Sequence, residues 1–211
     1  MEEVLEPKRL FFYGLVASCC VIEASLTLSD LGIFGPAHMR QIMYFNGAFW
    51  PGLLHDWKPN YAAQPYTMFI TFSFLHGGLV HLTVNMITLW SLGRAVLDRV
   101  GQVSFIVIYF AATLGAAAVF ALLAPTLRPM VGASGALFGL LGAVLAWEYV
   151  ANHADDEGRW RVAMVILVLL ALNLVLWWAM DGQLAWQAHL GGFLTGWLLA
   201  FRIRPKPQRT A

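Results

Sequence analysis

The sequence predicts an all-α integral membrane bundle of six transmembrane helices. Three observations carry that expectation. Of the 211 residues, 59% are hydrophobic. Only 12% are charged, about half the share of a typical soluble domain. The apolar residues also fall into runs that approach the roughly 20 needed to cross a bilayer as a helix. This composition excludes a disordered chain and an ordinary soluble enzyme. Lys+Arg number 13 and Asp+Glu 12, so no surplus charge calls for a polyanion and no nucleic-acid partner is expected. Residues 1–211 read as one membrane domain, without room for a folded soluble domain beside it. Cys19 and Cys20 are adjacent and give neither a disulfide framework nor metal-ligand spacing. His38, His55 and His153 also lack partners at such spacing, so no metal and no cofactor are expected.

The first span is Leu10–Leu28, broken only by Glu23. It reads as a retained helix, since acids precede its basic pair and no small-residue cleavage site follows. The stretch 31–76 is a long loop carrying Phe34, Phe45, Phe49, Trp50, Trp57 and four prolines. That mixture predicts an ordered interfacial segment with aromatic anchors. The uncharged run Asn60–Gly93 is too long for one span, so Gly77-Gly78 marks where the second membrane helix begins, and it ends near Arg94. The third span is Val103–Ala124, the fourth Gly132–Trp147, the fifth Val162–Met180 and the sixth Leu184–Phe201.

With six spans both termini share a side. Lys8, Arg9, Arg94, Arg99, Arg159, Arg161, Arg202, Arg204, Lys206 and Arg209 fall there, against Arg40, Lys58 and Arg128 on the other. The positive-inside rule then puts both termini in the cytoplasm and the aromatic loop outside.

On this topology Ser134, His189, His81 and Asn85 share one depth, roughly 5–12 Å below the outer surface at 1.5 Å per residue. Polar side chains in hydrocarbon are costly and each needs a reason. His81 and Asn85, four apart, project from one helix face. Gly132, Gly135, Gly139 and Gly142 surround or follow Ser134, while Ala188, Gly192 and Gly196 repeat every four residues beside His189. Small residues at that interval let helix backbones approach closely. Packed through these faces, Ser134 and His189 come within hydrogen-bond reach. A serine hydroxyl needs a base to become a nucleophile, and neutral histidine can be that base. A helix N-terminus supplies unpaired N–H groups for an oxyanion, to which His81 and Asn85 could add. No acid lies near His189 on its span, so the expectation is a Ser-His dyad without a carboxylate.

The strings Gly132-Ala133-Ser134-Gly135, Ala188-His189-x-x-Gly192-x-x-x-Gly196 and His76-x-x-x-x-His81-x-x-x-Asn85, in that placement, resemble the rhomboid family of intramembrane serine proteases. The likeness is to the basic bacterial six-span form, and it covers spans two to six in order. It implies Ser134 as nucleophile, His189 as general base, and His81, Asn85 and the Ser134 N–H as oxyanion stabilisers. Phe138 stands where the family often has a tyrosine stacked on the catalytic histidine. His76 matches a histidine of structural use, and Asp98 an acidic position at the cytoplasmic end. The family's outer loop often carries a Trp-Arg pair. Thr67 and Met68 occupy the aligned positions here, so the resemblance does not supply the usual bracing of that loop.

The implied activity is endopeptidase cleavage of transmembrane segments of other proteins near the outer face of a bacterial inner membrane. The partners are then a transmembrane-helix substrate and lipid. Two rivals are a non-proteolytic relative that binds transmembrane helices and a transporter. The first usually lacks the serine or histidine. The second would need a polar path across the whole bilayer. Taken singly, Ser134 reads as a packing serine, while a purely structural pair is the lesser alternative for His81 with Asn85. The shared depth favours chemistry. Glu23 is expected to be a bundle-facing side chain bonded to a neighbouring helix, with no base at its depth. Asn173 is expected to bond a neighbour or the backbone.

Overall fold

The computed structural model describes residues 9–125, 127–152 and 155–206. Lys8 and Arg209, used in the charge count, and His153 lie outside the described residues. Helix α1 covers Leu10–Asp30. The following loop is itself partly helical, with α2 over Met39–Gly47 and α3 over Gln64–Thr71. Short 3-10 turns at Pro51–Leu54 and Phe72–Phe74 complete it.

Helix α4 starts at Leu79, after Gly78 turns the chain at φ +105°. It runs through Thr88, widens into π geometry over Leu89–Gly93 and continues as α5 over Arg94–Val100. The second span therefore ends six residues beyond the expected boundary at Arg94, because Arg94 stays in helix and lies over the Trp90 ring at 5.3 Å. Gly101 (φ +81°) makes the single-residue break to α6, Gln102–Leu123. Helices α7 (Ser134–Ala151), α8 (Asp156–Ala179) and α9 (Trp186–Ala200) follow. Helix α8 starts before the expected Val162 because Asp155 caps it, accepting from the Glu157 and Gly158 N–H groups.

The result is an all-helical membrane bundle. Four helices, α1, α6, α7 and α8, are long and apolar enough to cross a bilayer alone. A fifth joins them if the pair Gln64–Phe74 and Leu79–Val100, bent by 80°, counts as one broken span. At 15 residues α9 falls short by length, so the expected count of six is not reached on length and apolarity. Helix α9 packs one face against α6 and α7 and leaves Leu194 and Leu198 exposed on another.

Its seat is made by missing side chains. A Cβ on Gly192 would strike the Gly135 carbonyl, one on Gly196 the Gly139 carbonyl, and one on Gly191 the Gly115 carbonyl. Helix α9 thus presses backbone to backbone on α7 through the small-residue faces read from the sequence, and on α6 through Gly115 and Gly191. The main core joins Phe12, Leu15 and Cys19 of α1 to Leu89, Phe105, Tyr109, Leu140 and Trp147. By contrast, α8 buries only Gly158 and Val162, both near its start. The rest of its apolar surface is left for lipid.

Candidate active site

Ser134 is the first residue of α7. The first intrahelical bond there is from the Leu137 N–H to the Ala133 carbonyl, so the earlier N–H groups of the turn face outward as helix N-termini require. The turn is anchored from behind. The Gly132 N–H donates to the Phe72 carbonyl at 2.9 Å, and Phe49 and Met130 exchange backbone hydrogen bonds. Gly132 itself sits at φ +118°, a conformation that L side chains rarely adopt.

The structure brings Ser134 and His189 together: Ser134 Oγ lies 2.9 Å from His189 Nε2. The Phe138 ring lies parallel to the His189 imidazole, with centroids 4.2 Å apart and planes 7° apart. Gly135 and Gly192 make the close approach of the two helices that this distance requires.

His81 packs against Gly132, two residues before the serine. Its Nδ1 accepts from the Gly77 N–H at 3.1 Å. The proton of the neutral ring is therefore on Nε2, the side nearer Gly132, where it can serve as a donor. Asn85 is one turn further along α4. Its Nδ2 donates to the His81 carbonyl at 2.8 Å, while its buried Oδ1 has no partner among the described residues. His76 is fully buried and both ring nitrogens lack partners among the described residues. Its ring packs edge-on against His81 at 5.3 Å.

Two findings go beyond the sequence reading. The expectation that no base accompanies Glu23 is corrected, because Arg40 of α2 reaches it. The Glu23 carboxylate accepts from Arg40 Nη2 at 2.7 Å and from Nη1 at 3.1 Å. Arg40 also pairs with Asp30 at 2.6 Å and donates to the His76 carbonyl, which Tyr44 Oη reaches as well, at 2.6 Å. Hydrogen bonding to Glu23 holds the Arg40 guanidinium further above its ordinary range, so it stays charged. Burial pushes the Tyr44 hydroxyl up as well, which keeps it a donor. This network ties the loop to α1 and to the entry of α4, which neither Thr67 nor Met68 does. Its signal was available: one acid in an apolar span and one arginine in the loop after it.

The second finding concerns His189. His189 Nδ1 lies 2.6 Å from Asn173 Oδ1 on α8, so the histidine has a third partner that is an amide. The signal was a lone polar residue in the apolar run 162–180. Other pairs are remote from this centre: Arg9–Asp98 at 3.0 Å and Arg99–Glu148 at 3.4 Å lie at the opposite end of the bundle. Beside the first turn of α9 a cavity of about 650 Å³ opens between Phe120, Pro125, Arg128, Trp177, Asp181 and Gln187. Among the described residues no cluster could hold a metal ion.

A model of the Rhomboid domain family matches residues 63–206. The chain belongs to the rhomboid family. Among similar proteins, RHOMBOID-like protein 5 of Arabidopsis thaliana is 37% identical over 136 residues, covering 64% of this chain and 43% of that protein. The mitochondrial RHOMBOID-like protein 6 of Arabidopsis thaliana is 33% identical over 156 residues, covering 72% of this chain and 48% of its own. Rhomboid protease GluP of Bacillus subtilis (strain 168) is 35% identical over 126 residues, or 60% of this chain and 24% of that protease. The matched part of each of these relatives is less than half its length. The matched rhomboid domain contains α4 to α9 and so holds Ser134, His189, His81, Asn85 and Asn173; Glu23 and Arg40 lie before it.

Proposed function

We propose that this rhomboid-family chain is an intramembrane serine endopeptidase that cleaves transmembrane segments of other membrane proteins. The observation that carries the reading is the 2.9 Å contact between Ser134 Oγ and His189 Nε2 at the N-terminus of a buried helix. His189 Nε2 takes the hydroxyl proton as Ser134 Oγ attacks the scissile carbonyl. The oxyanion is met by N–H groups of the first turn of α7 and by the Nε2–H of His81, with the free N–H of Asn85 beside it. His189 returns the proton to the leaving amine, and water then hydrolyses the acyl-serine by the same route in reverse.

In this reading residues 1–211 form one membrane domain, 31–76 is its extracytoplasmic loop, and α9 serves as a sixth, shortened span. Both termini are cytoplasmic, in a bacterial inner membrane. The surplus of basic residues on the terminal side supports that orientation. The catalytic serine then opens toward the outer leaflet.

The test is cleavage of a model transmembrane substrate by purified protein in detergent or liposomes, beside Ser134→Ala. Product from wild type and none from the variant is expected, as is phosphonate labelling that needs both Ser134 and His189. Equal product from both proteins would remove the assignment. Binding of the substrate without any cleavage would support the helix-binding rival instead.

A further inference from the structure

Asn173 stands on a helix that otherwise has little reason to carry it. Beyond its first two turns α8 is an apolar surface, with Leu172, Leu174, Val175 and Leu176 exposed around the asparagine. An amide in such surroundings is costly unless its groups are paired. Between Val162 and Ala179, among the described residues, the one side-chain hydrogen bond from α8 to another helix is Asn173 to His189.

The amide's orientation is fixed by its other end. Asn173 Nδ2 donates to the Leu169 carbonyl one turn back, at 2.9 Å. A flipped amide would set two oxygens against each other there, so Oδ1 is the atom facing His189 Nδ1 at 2.6 Å. Oδ1 only accepts. The Nδ1 of His189 must then carry the proton, and in the neutral ring Nε2 is left with its lone pair toward Ser134 Oγ at 2.9 Å. That is the one tautomer in which His189 can take the serine proton. The opposite tautomer would place a lone pair against the Asn173 oxygen and a proton against the hydroxyl.

Resting on the protease reading, we propose that Asn173 is a positioning residue that selects the base-competent tautomer of His189, so that the site is a Ser134-His189-Asn173 relay contributed by three helices. When Nε2 receives the proton, the Nδ1–H still donates to Oδ1, and the amide dipole stabilises the imidazolium without itself changing charge. A carboxylate in this place would do so more strongly, but in an apolar environment it carries a desolvation cost that an amide avoids. The ring is thus held on one face by Phe138 and along its edge by Asn173. Because Asn173 belongs to the least buried of the four long apolar helices, the tautomer is set only while α8 is docked against α9.

The experiment compares full-length wild type, Asn173→Leu, Asn173→Ala and Asn173→Asp on one transmembrane substrate. Leucine keeps the volume and suits the apolar surroundings but cannot accept a hydrogen bond. The expected result is a kcat about 10- to 100-fold lower in both Asn173→Leu and Asn173→Ala with KM nearly unchanged, as for an orienting group, and partial recovery in Asn173→Asp. Histidine 15N spectra of protein in micelles, with His189 assigned by difference against His189→Gln, should show the Nδ1–H tautomer in wild type and its loss in Asn173→Leu. Wild-type kcat and an unchanged His189 signature in Asn173→Leu would overturn the inference while leaving the protease reading intact. A wild type that cuts no better than Ser134→Ala would bring down both.

Discussion

His81 and Gly132 are in contact such that a Cβ on the glycine would stand 2.7 Å from His81 Cε1 and 2.9 Å from its Nε2. The absence of a side chain at 132 therefore sets where the His81 donor sits relative to the serine two residues on. The glycine is doubly required, because its φ of +118° is one that L side chains rarely adopt. Gly132→Ala is expected to cost about 1–3 kcal/mol in backbone strain. It should also lower kcat by about 10²–10³-fold by displacing one oxyanion donor. Thermal unfolding in detergent reads the first effect and single-substrate kinetics the second. Full activity in this variant would show that His81 has no part in the reaction.

The stack of Phe138 on His189 yields a second prediction. At 4.2 Å and 7° the rings are in face contact, and such a contact is worth about 0.5–1.5 kcal/mol. Phe138→Ala frees the imidazole to leave its aligned orientation, so kcat should fall by up to about tenfold. Phe138→Tyr keeps the ring and should stay near wild type. Equal losses in both variants would mean that space at this position, not stacking, is what matters.

The third prediction concerns the brace at the loop. Glu23 is fully buried, and Arg40 approaches it from the loop while also holding Asp30 and the His76 carbonyl. Removing Arg40 leaves the Glu23 carboxylate buried without its counter-charge, at about 3–5 kcal/mol, whereas removing the Glu23 charge leaves Arg40 still paired with Asp30. Arg40→Met should lower the unfolding temperature strongly and Glu23→Gln by less. Glu23→Gln with Arg40→Met should cost less than the sum, since no orphan charge remains. Additive losses would mean that the two residues act independently. The catalytic constants of whatever enzyme remains folded should change little, since the pair lies outside the Ser134 site.

The contrast between these residues explains what could be read without coordinates. Ser134 and His189 were legible because small residues at four-residue spacing flank both, and a helix face free of bulk dictates who its neighbour is. The start of α4 was legible at Gly77-Gly78, since glycine permits a turn that other residues resist. Arg40 was placed on the correct connection but not against Glu23. Pairing between residues 17 apart in sequence depends on how α2 folds back on α1, and no periodicity encodes that. Asn173 stands out in the sequence as polar, yet its partner depends on the rotation of a helix that is apolar all round. A helix of that kind has no hydrophobic stripe to fix which side faces inward. The tautomers of His81 and His189 follow from Gly77 and from the Asn173 amide, atomic details that spacing does not carry.

The last prediction follows from where the site lies. In the proposed reaction the substrate arrives as a helix whose carbonyls are engaged in its own hydrogen bonds. Ser134 is recessed at the head of α7, so a helical peptide bond is not open to attack there. The segment must unwind before it extends toward His189, and the unwinding free energy adds to the barrier. Glycine disfavours helix by about 1 kcal/mol relative to alanine or leucine. Two glycines near the outer interface should therefore ease unwinding by about 2 kcal/mol, which is up to about 30-fold in rate. Matched substrates with Leu-Leu or Gly-Gly at those positions, otherwise identical and proline-free, should differ in kcat/KM by that order. The difference should vanish when the same peptides are offered as short, soluble, already unfolded segments. Equal cleavage of the two transmembrane substrates would mean that unwinding does not limit the reaction and that the recessed serine is reached by another route.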